Sequence, residues 1–214
     1  MVVFYAIFCK NLSQFQGCYA AKRSCFPELL ANWCLTLKRN TVYLAGLQAH
    51  PIVRHFGKVL EVLRTGMITK NQIWKLYGTD FTGMTKKLLE ETDLAALIGN
   101  KKTRIGIKPN LVVASPAEFG GTTHPEVVAG IVEYLQEHGF QNITIVEGSW
   151  VGDRTSDAYK YCGYKALCEK YGVPFVDGQK EKFHTVDCAG MKLNIINAVD
   201  RIDFLINVPV IKGH

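Results

Sequence analysis

The sequence predicts an α/β fold, a three-layer sandwich around a mostly parallel sheet that is incomplete at its C-terminus. Three observations predict it. Short apolar segments recur after Met67, helical stripes separate them, and segments such as Phe204–Val208 are apolar on both sides, as doubly covered strands are. Strands alternating with helices of this length imply parallel pairing with the helices on the sheet faces.

Residues 1–66 stand apart from this pattern. They hold eight Lys/Arg against two Asp/Glu, which accounts for the whole net charge of +6, while residues 67–214 hold 17 of each sign. The basic balance therefore says nothing of the main domain, and a nucleic-acid partner loses its support. No sustained helix or strand period runs through 1–66. The segment reads as a small appendage, as a disordered or partly helical tail, or as translated sequence preceding a start at Met67. The last reading is preferred, which leaves 67–214 as a partial α/β domain. The apolar run Val2–Cys9 has no positive charge before it and is broken by Lys10 and Asn11, a poor secretory signal. The seven cysteines include no C-x-x-C, so neither a zinc ribbon nor an iron–sulfur ligand motif of the ferredoxin type is encoded, and no metal is assigned. An odd thiol count without a signal predicts reduced cysteines and a cytoplasmic protein. No apolar run approaches the ~18 residues of a membrane span, so no membrane partner is expected.

The elements follow in order. Thr69–Tyr77 and Thr82–Ile98 read as helices, the second with a break at Thr92-Asp93 and a stop at Gly99. Arg104–Lys108 is the first strand. Pro125–His138 is a helix with proline at its first position, glycine after its end, and a stripe of Val127, Val128, Ile131, Val132 and Leu135. Asn142–Glu147 is the second strand, Ser156–Tyr171 a helix stopped by Gly172, and Val173–Asp177 the third strand. Tyr159, Tyr161, Tyr164 and Tyr171 are expected on that helix surface, and Cys162 and Cys168 in the core. Phe183–Ile196 reads as a hairpin turning at Ala189-Gly190, and Asp203–Val208 as the last strand.

In open parallel sheets ligands bind beyond the carboxyl ends of the strands. The first strand runs into Lys108, Pro109 and Asn110, then a loop to Thr122, Thr123 and His124. The second runs into Glu147, Ser149 and Asp153, the third into Asp177, and the last into Pro209, Lys212 and His214. Each residue has a plainer reading. Lys108 could be a solvated strand end, Asn110 a turn cap, Thr122 and Thr123 helix caps, and His124 structural. Glu147 and Asp153 could hold a metal or sugar hydroxyls, or only turn the chain. "GGTTHPE" nevertheless puts backbone N–H groups at a helix start, which suits a phosphate or carboxylate, although it lacks P-loop or dinucleotide spacing. The site expected from these groups is an anion pocket. Lys108, Asn110, Thr122, Thr123, Ser149, Asp153 and Lys212 bind, and His124, Glu147 and His214 are candidate proton-moving residues.

"IGIKPNLV", "TTHPEVVAGIVEYL", "VEGSW" and "FLINVPVIKGH" resemble, in order and spacing, the prokaryotic domain of unknown function family 362 over roughly 67–214. The resemblance implies an α/β protein of about twice this domain's length. It also implies, in some members, a ferredoxin-like module with iron–sulfur cysteines, which this chain lacks. The chain ends at His214, where the family continues into a further α/β half. The expectation is therefore a truncated domain whose last strand sits at an unprotected sheet edge, with exposed apolar surface through which copies self-associate. Three functions compete: an enzyme acting on a small anion, a redox-linked accessory protein whose cluster module is elsewhere, and an inactive fragment. The cofactor is unknown.

Overall fold

The computed structural model describes residues 2–9, 41–48 and 73–212, with side chains from Trp74 onward. An α/β sandwich is present. Its sheet has seven strands: β1 (Val2–Cys9), β2 (Thr41–Gln48), β3 (Ile73–Gly78), β4 (Ile105–Pro109), β5 (Ile143–Glu147), β6 (Phe175–Asp177) and β9 (Phe204–Val208), in the order β3-β1-β2-β9-β4-β5-β6. Strands β9, β4, β5 and β6 run parallel, and β2 adds to β9 in parallel; β1 is antiparallel to both its neighbours. The hairpin β7 (Phe183–Cys188) and β8 (Met191–Ile196) stands outside this sheet and turns at Ala189 and Gly190, both at positive φ as a tight hairpin requires.

Two expectations about the strands need correction. The stretch 69–77 does not form a helix where it is described: Ile73–Gly78 is strand β3. Its Trp74 and Leu76 are half-buried while Lys75 and Tyr77 are exposed, a period of two. Pairing with β1 decides it, and β1 is far away in sequence. The last strand is not at an edge either. β9 lies between β2 and β4, so segments 2–9 and 41–48, where no strand period was read, extend the sheet beyond it. Its Phe204, Leu205, Ile206 and Val208 are buried, as a doubly covered strand requires.

The helices share one core with the sheet. α1 (Phe81–Glu91) ends at Thr92, and α2 (Leu94–Ile98) follows at once. Asp93 is left-handed and does not cap α2 with its side chain; the Tyr134 hydroxyl instead accepts from the Ala95 N–H at 3.0 Å. Burial, first, pushes that phenol up to about 12, so it stays protonated. α3 (Pro125–Glu137) buries Val127, Val128, Ile131, Val132 and Leu135, the predicted stripe, and Tyr134 besides. The helix expected over 156–171 breaks at Cys162-Gly163 into α4 (Thr155–Tyr161) and α5 (Tyr164–Tyr171), with Gly163 at φ +79°. That break turns Tyr164 inward. It is fully buried and donates to the Thr123 carbonyl at 3.1 Å, so it does not dress the surface as expected, whereas Tyr161 does. Cys162 and Cys168 are buried, and burial raises both thiols.

α1 crosses α3 at Gly130. A Cβ there would lie 2.7 Å from the Thr82 carbonyl oxygen and 2.9 Å from Thr85 Cβ, and backbone cannot yield as a side chain does. Gly130→Ala is expected to lower unfolding free energy by about 1–2 kcal/mol in urea, the overpacking outweighing the better helix propensity of alanine. An unchanged or raised midpoint would show that the crossing has slack.

Candidate functional site

The parallel pairing brings the ends of β9, β4 and β5 to one edge. Lys108 stands opposite Asn207, and Glu147 opposite Asp177. At this edge Glu147 carries a carboxylate with only 4% of its side chain exposed. Lys108, 13% exposed, donates to its Oε2 at 2.8 Å, and the Leu111 N–H donates to the same oxygen at 3.2 Å. The Gly148 N–H donates to Oε1 at 2.7 Å. A carboxylate this deep is tolerable because each oxygen has a donor and one donor is a cation. Lys108 also donates to the Pro109 carbonyl at 3.1 Å.

Lys212, in the loop after β9, approaches from the other side. Its ammonium donates to the Gly121 carbonyl at 2.8 Å and makes no ion pair among the described residues. Burial pushes its pKa down; the Glu147 carboxylate opposes that shift, and Lys108 adds to it. The two lysines therefore sense the same carboxylate from two strand ends.

The Gly121 carbonyl also accepts from the Asn110 amide at 2.8 Å, so the loop after β4 closes on itself beneath Lys212. Asn110 and Thr123 are doubly joined: the Asn110 N–H donates to Thr123 Oγ1 at 2.9 Å, and the Thr123 N–H to the Asn110 carbonyl at 2.9 Å. Thr123 Oγ1 donates onward to the Val208 carbonyl at 2.7 Å, tying this loop to the end of β9. The Thr123 amide expected to face a ligand is thus already occupied.

The other expected residues hold loops together. Thr122 is buried and donates to the Ser115 carbonyl at 2.9 Å. Ser149 donates to the Leu111 carbonyl at 2.6 Å. Asp153 accepts from the Ala114 N–H at 2.8 Å and the Arg154 N–H at 2.7 Å, and these bonds, Ala114 first, lower its pKa. Glu147 and Asp153 thereby bind different stretches of the loop after β4. His124 does not join the Glu147 cluster. It stacks on Phe81 with centroids 4.3 Å apart, and its Nδ1 lies 3.8 Å from Glu126. Its Nε2 is buried without a partner among the described residues. His214 lies outside the described residues. Among those residues, no three His, Cys, Asp or Glu side chains gather as a metal centre would need.

Two participants were not singled out from the sequence. Gly121 acts through its carbonyl, which no residue type announces. Gln179, just past β6, donates to the Asp153 carbonyl at 2.9 Å and the Ser149 carbonyl at 3.2 Å, and accepts from the Thr155 N–H at 3.0 Å. Its position after a strand end was the available signal.

The fold and this edge define an α/β domain with a lysine–carboxylate cluster at the carboxyl end of a parallel sheet. The family model described as Domain of unknown function (DUF362) matches residues 105–214, from the first residue of β4 onward, and the chain belongs to that family. No curated protein matched the chain, and no solved structure did. No helix among the described residues is long and apolar enough to cross a membrane.

Lys108→Met would leave the Glu147 carboxylate with backbone donors alone. The expected loss is about 3–5 kcal/mol of stability, as for other broken buried pairs. Adding Glu147→Gln should restore much of it, because contacting partners couple. Urea unfolding of both single variants and the double variant closes the cycle; strictly additive losses would mean the two side chains do not act as a pair.

Proposed function

We propose that the C-terminal edge of the sheet binds a small anion, held chiefly by Lys212 beside the Lys108–Glu147 pair. The observation that carries this reading is Lys212 itself. Its ammonium is partly withdrawn from water, its hydrogen bond goes to a neutral carbonyl, and a second lysine lies close enough to lower its pKa. A cation in that condition gains more from an arriving anion than one already paired. Position supports the reading too, since open parallel sheets take ligands at this edge.

In this reading Asn110, Thr122, Thr123, Ser149 and Asp153 shape the wall by holding its loops, and Lys108 sets the field through Glu147. Glu147 enters this reading as the charge that Lys212 senses, itself satisfied by Lys108 and two backbone N–H groups. His124 is left out of the anion contact, because its ring lies on Phe81. The ligand class is a small carboxylate or phosphate.

Titration of the full-length chain with acetate tests this. Lys212→Met is expected to weaken binding by about 1.5–3 kcal/mol, the worth of a charge-assisted contact, with little change in melting temperature. The pH dependence has a definite sign. The anion needs the protonated lysine, and the Lys212 pKa is depressed by burial, then raised by Glu147 and lowered by Lys108. Affinity should fall as pH rises, and do so ahead of the ~10.4 of an ordinary lysine. Affinity unchanged by Lys212→Met, or flat up to the ordinary lysine value, would sink the reading.

A further inference from the structure

The charged edge has an apolar rim. Phe119, Trp150, Val151 and Ile211 are large apolar side chains left exposed, and all four lie on loops at this edge. Ile211 adjoins Lys212, and Phe119 is two residues from Gly121, which receives the Lys212 ammonium. Trp150 is three residues beyond Glu147, so chain reach alone holds their Cα atoms within about 11 Å.

Trp150 is the informative member. It is 60% exposed, yet the chain that carries it is pinned. Its N–H donates to the Val112 carbonyl at 3.0 Å, and its carbonyl accepts from the Asp153 N–H at 2.9 Å. The indole is seated over Gly152, where a Cβ would overlap the ring. A tryptophan resting on bare glycine backbone, fixed at its root and open to solvent, is a preorganised stacking surface.

We propose that the anion bound at Lys212 carries an aromatic or similarly flat apolar body, which stacks on Trp150. This rests on the anion reading above and narrows it to amphipathic anions, aromatic carboxylates being the simplest case. Charge complementarity selects this occupant: exposed apolar side chains and a cationic group stand on segments that follow neighbouring strand ends, so a molecule with one anionic end and one flat end satisfies both. Four exposed apolar side chains and one charge suit a small molecule better than a protein, whose stable interfaces take about 800 Å² from each partner.

The test compares acetate with benzoate, both monoanions at pH 8, on the full-length chain. Benzoate is expected to bind about tenfold more tightly or better. Trp150→Ala should bring the ratio of the two affinities near one, Trp150→Phe should keep most of it, and Lys212→Met should weaken both ligands alike. Equal affinities in the parent chain, or a ratio that Trp150→Ala does not move, would overturn the aromatic body while acetate binding through Lys212 kept the anion site. Failure of both ligands to bind, or indifference of both to Lys212→Met, would remove the anion site and this inference with it. Sedimentation at the same concentrations separates the remaining occupant: a change in mass abolished by Trp150→Ala, with the affinity ratio unmoved, would assign the rim to a second copy of the chain and overturn the proposal.

Discussion

A carboxylate as deeply buried as that of Glu147 must be satisfied from within the fold, and the way this is done organises the whole edge of the sheet. One donor is the Lys108 ammonium from the neighbouring strand, and the other two are backbone N–H groups of Leu111 and Gly148. Those backbone donors belong to the loops after β4 and β5. Satisfying the charge therefore fixes where each loop leaves its strand. An apolar pair of similar volume would fill the space but would hold neither loop start. The pair's contribution is better understood as geometry than as net stability.

From these starting points the loops are joined by bonds between their own polar groups. Thr123 links the first loop to the end of β9, Ser149 links the second to the first, and Gln179 closes the second from beyond β6. The Gly178 N–H also donates to the Glu147 carbonyl at 2.8 Å, drawing the ends of β5 and β6 together. A Cβ at Gly178 would sit 3.1 Å from that carbonyl oxygen, which is why this approach suits glycine. The loops behave as one braced wall instead of independent excursions.

How much of this the sequence disclosed depended on the range of the cause. Helix α3 was legible almost to the residue, because its proline start, apolar stripe and glycine end are all local. The hairpin was legible for the same reason, with its turn at Ala189 and Gly190. The strand at Ile73–Gly78 was misread because its partner β1 lies some seventy residues earlier. A longer separation, some 160 residues, hid the central place of β9, which is bounded on one side by β2. At the site, Lys108, Glu147 and Lys212 were visible as polar residues following apolar strands. Their mutual arrangement was not, since the lysines were expected to hold a foreign anion between them, and Glu147 is a resident carboxylate that both of them sense.

That resident carboxylate changes what an arriving ligand would meet. With Glu147 satisfied by Lys108, Lys108 is already engaged in the fold, and a ligand competing for it would have to break a buried pair. Lys212 carries no such obligation: its bond to the Gly121 carbonyl can lengthen or be shared without stranding a charge. The division assigns different work to two lysines that look alike in the sequence. The one in the strand braces the wall, and the one in the loop is available at its surface. Binding strength and folding stability then answer to different residues, so a site at this edge can vary in what it holds while its frame stays constant.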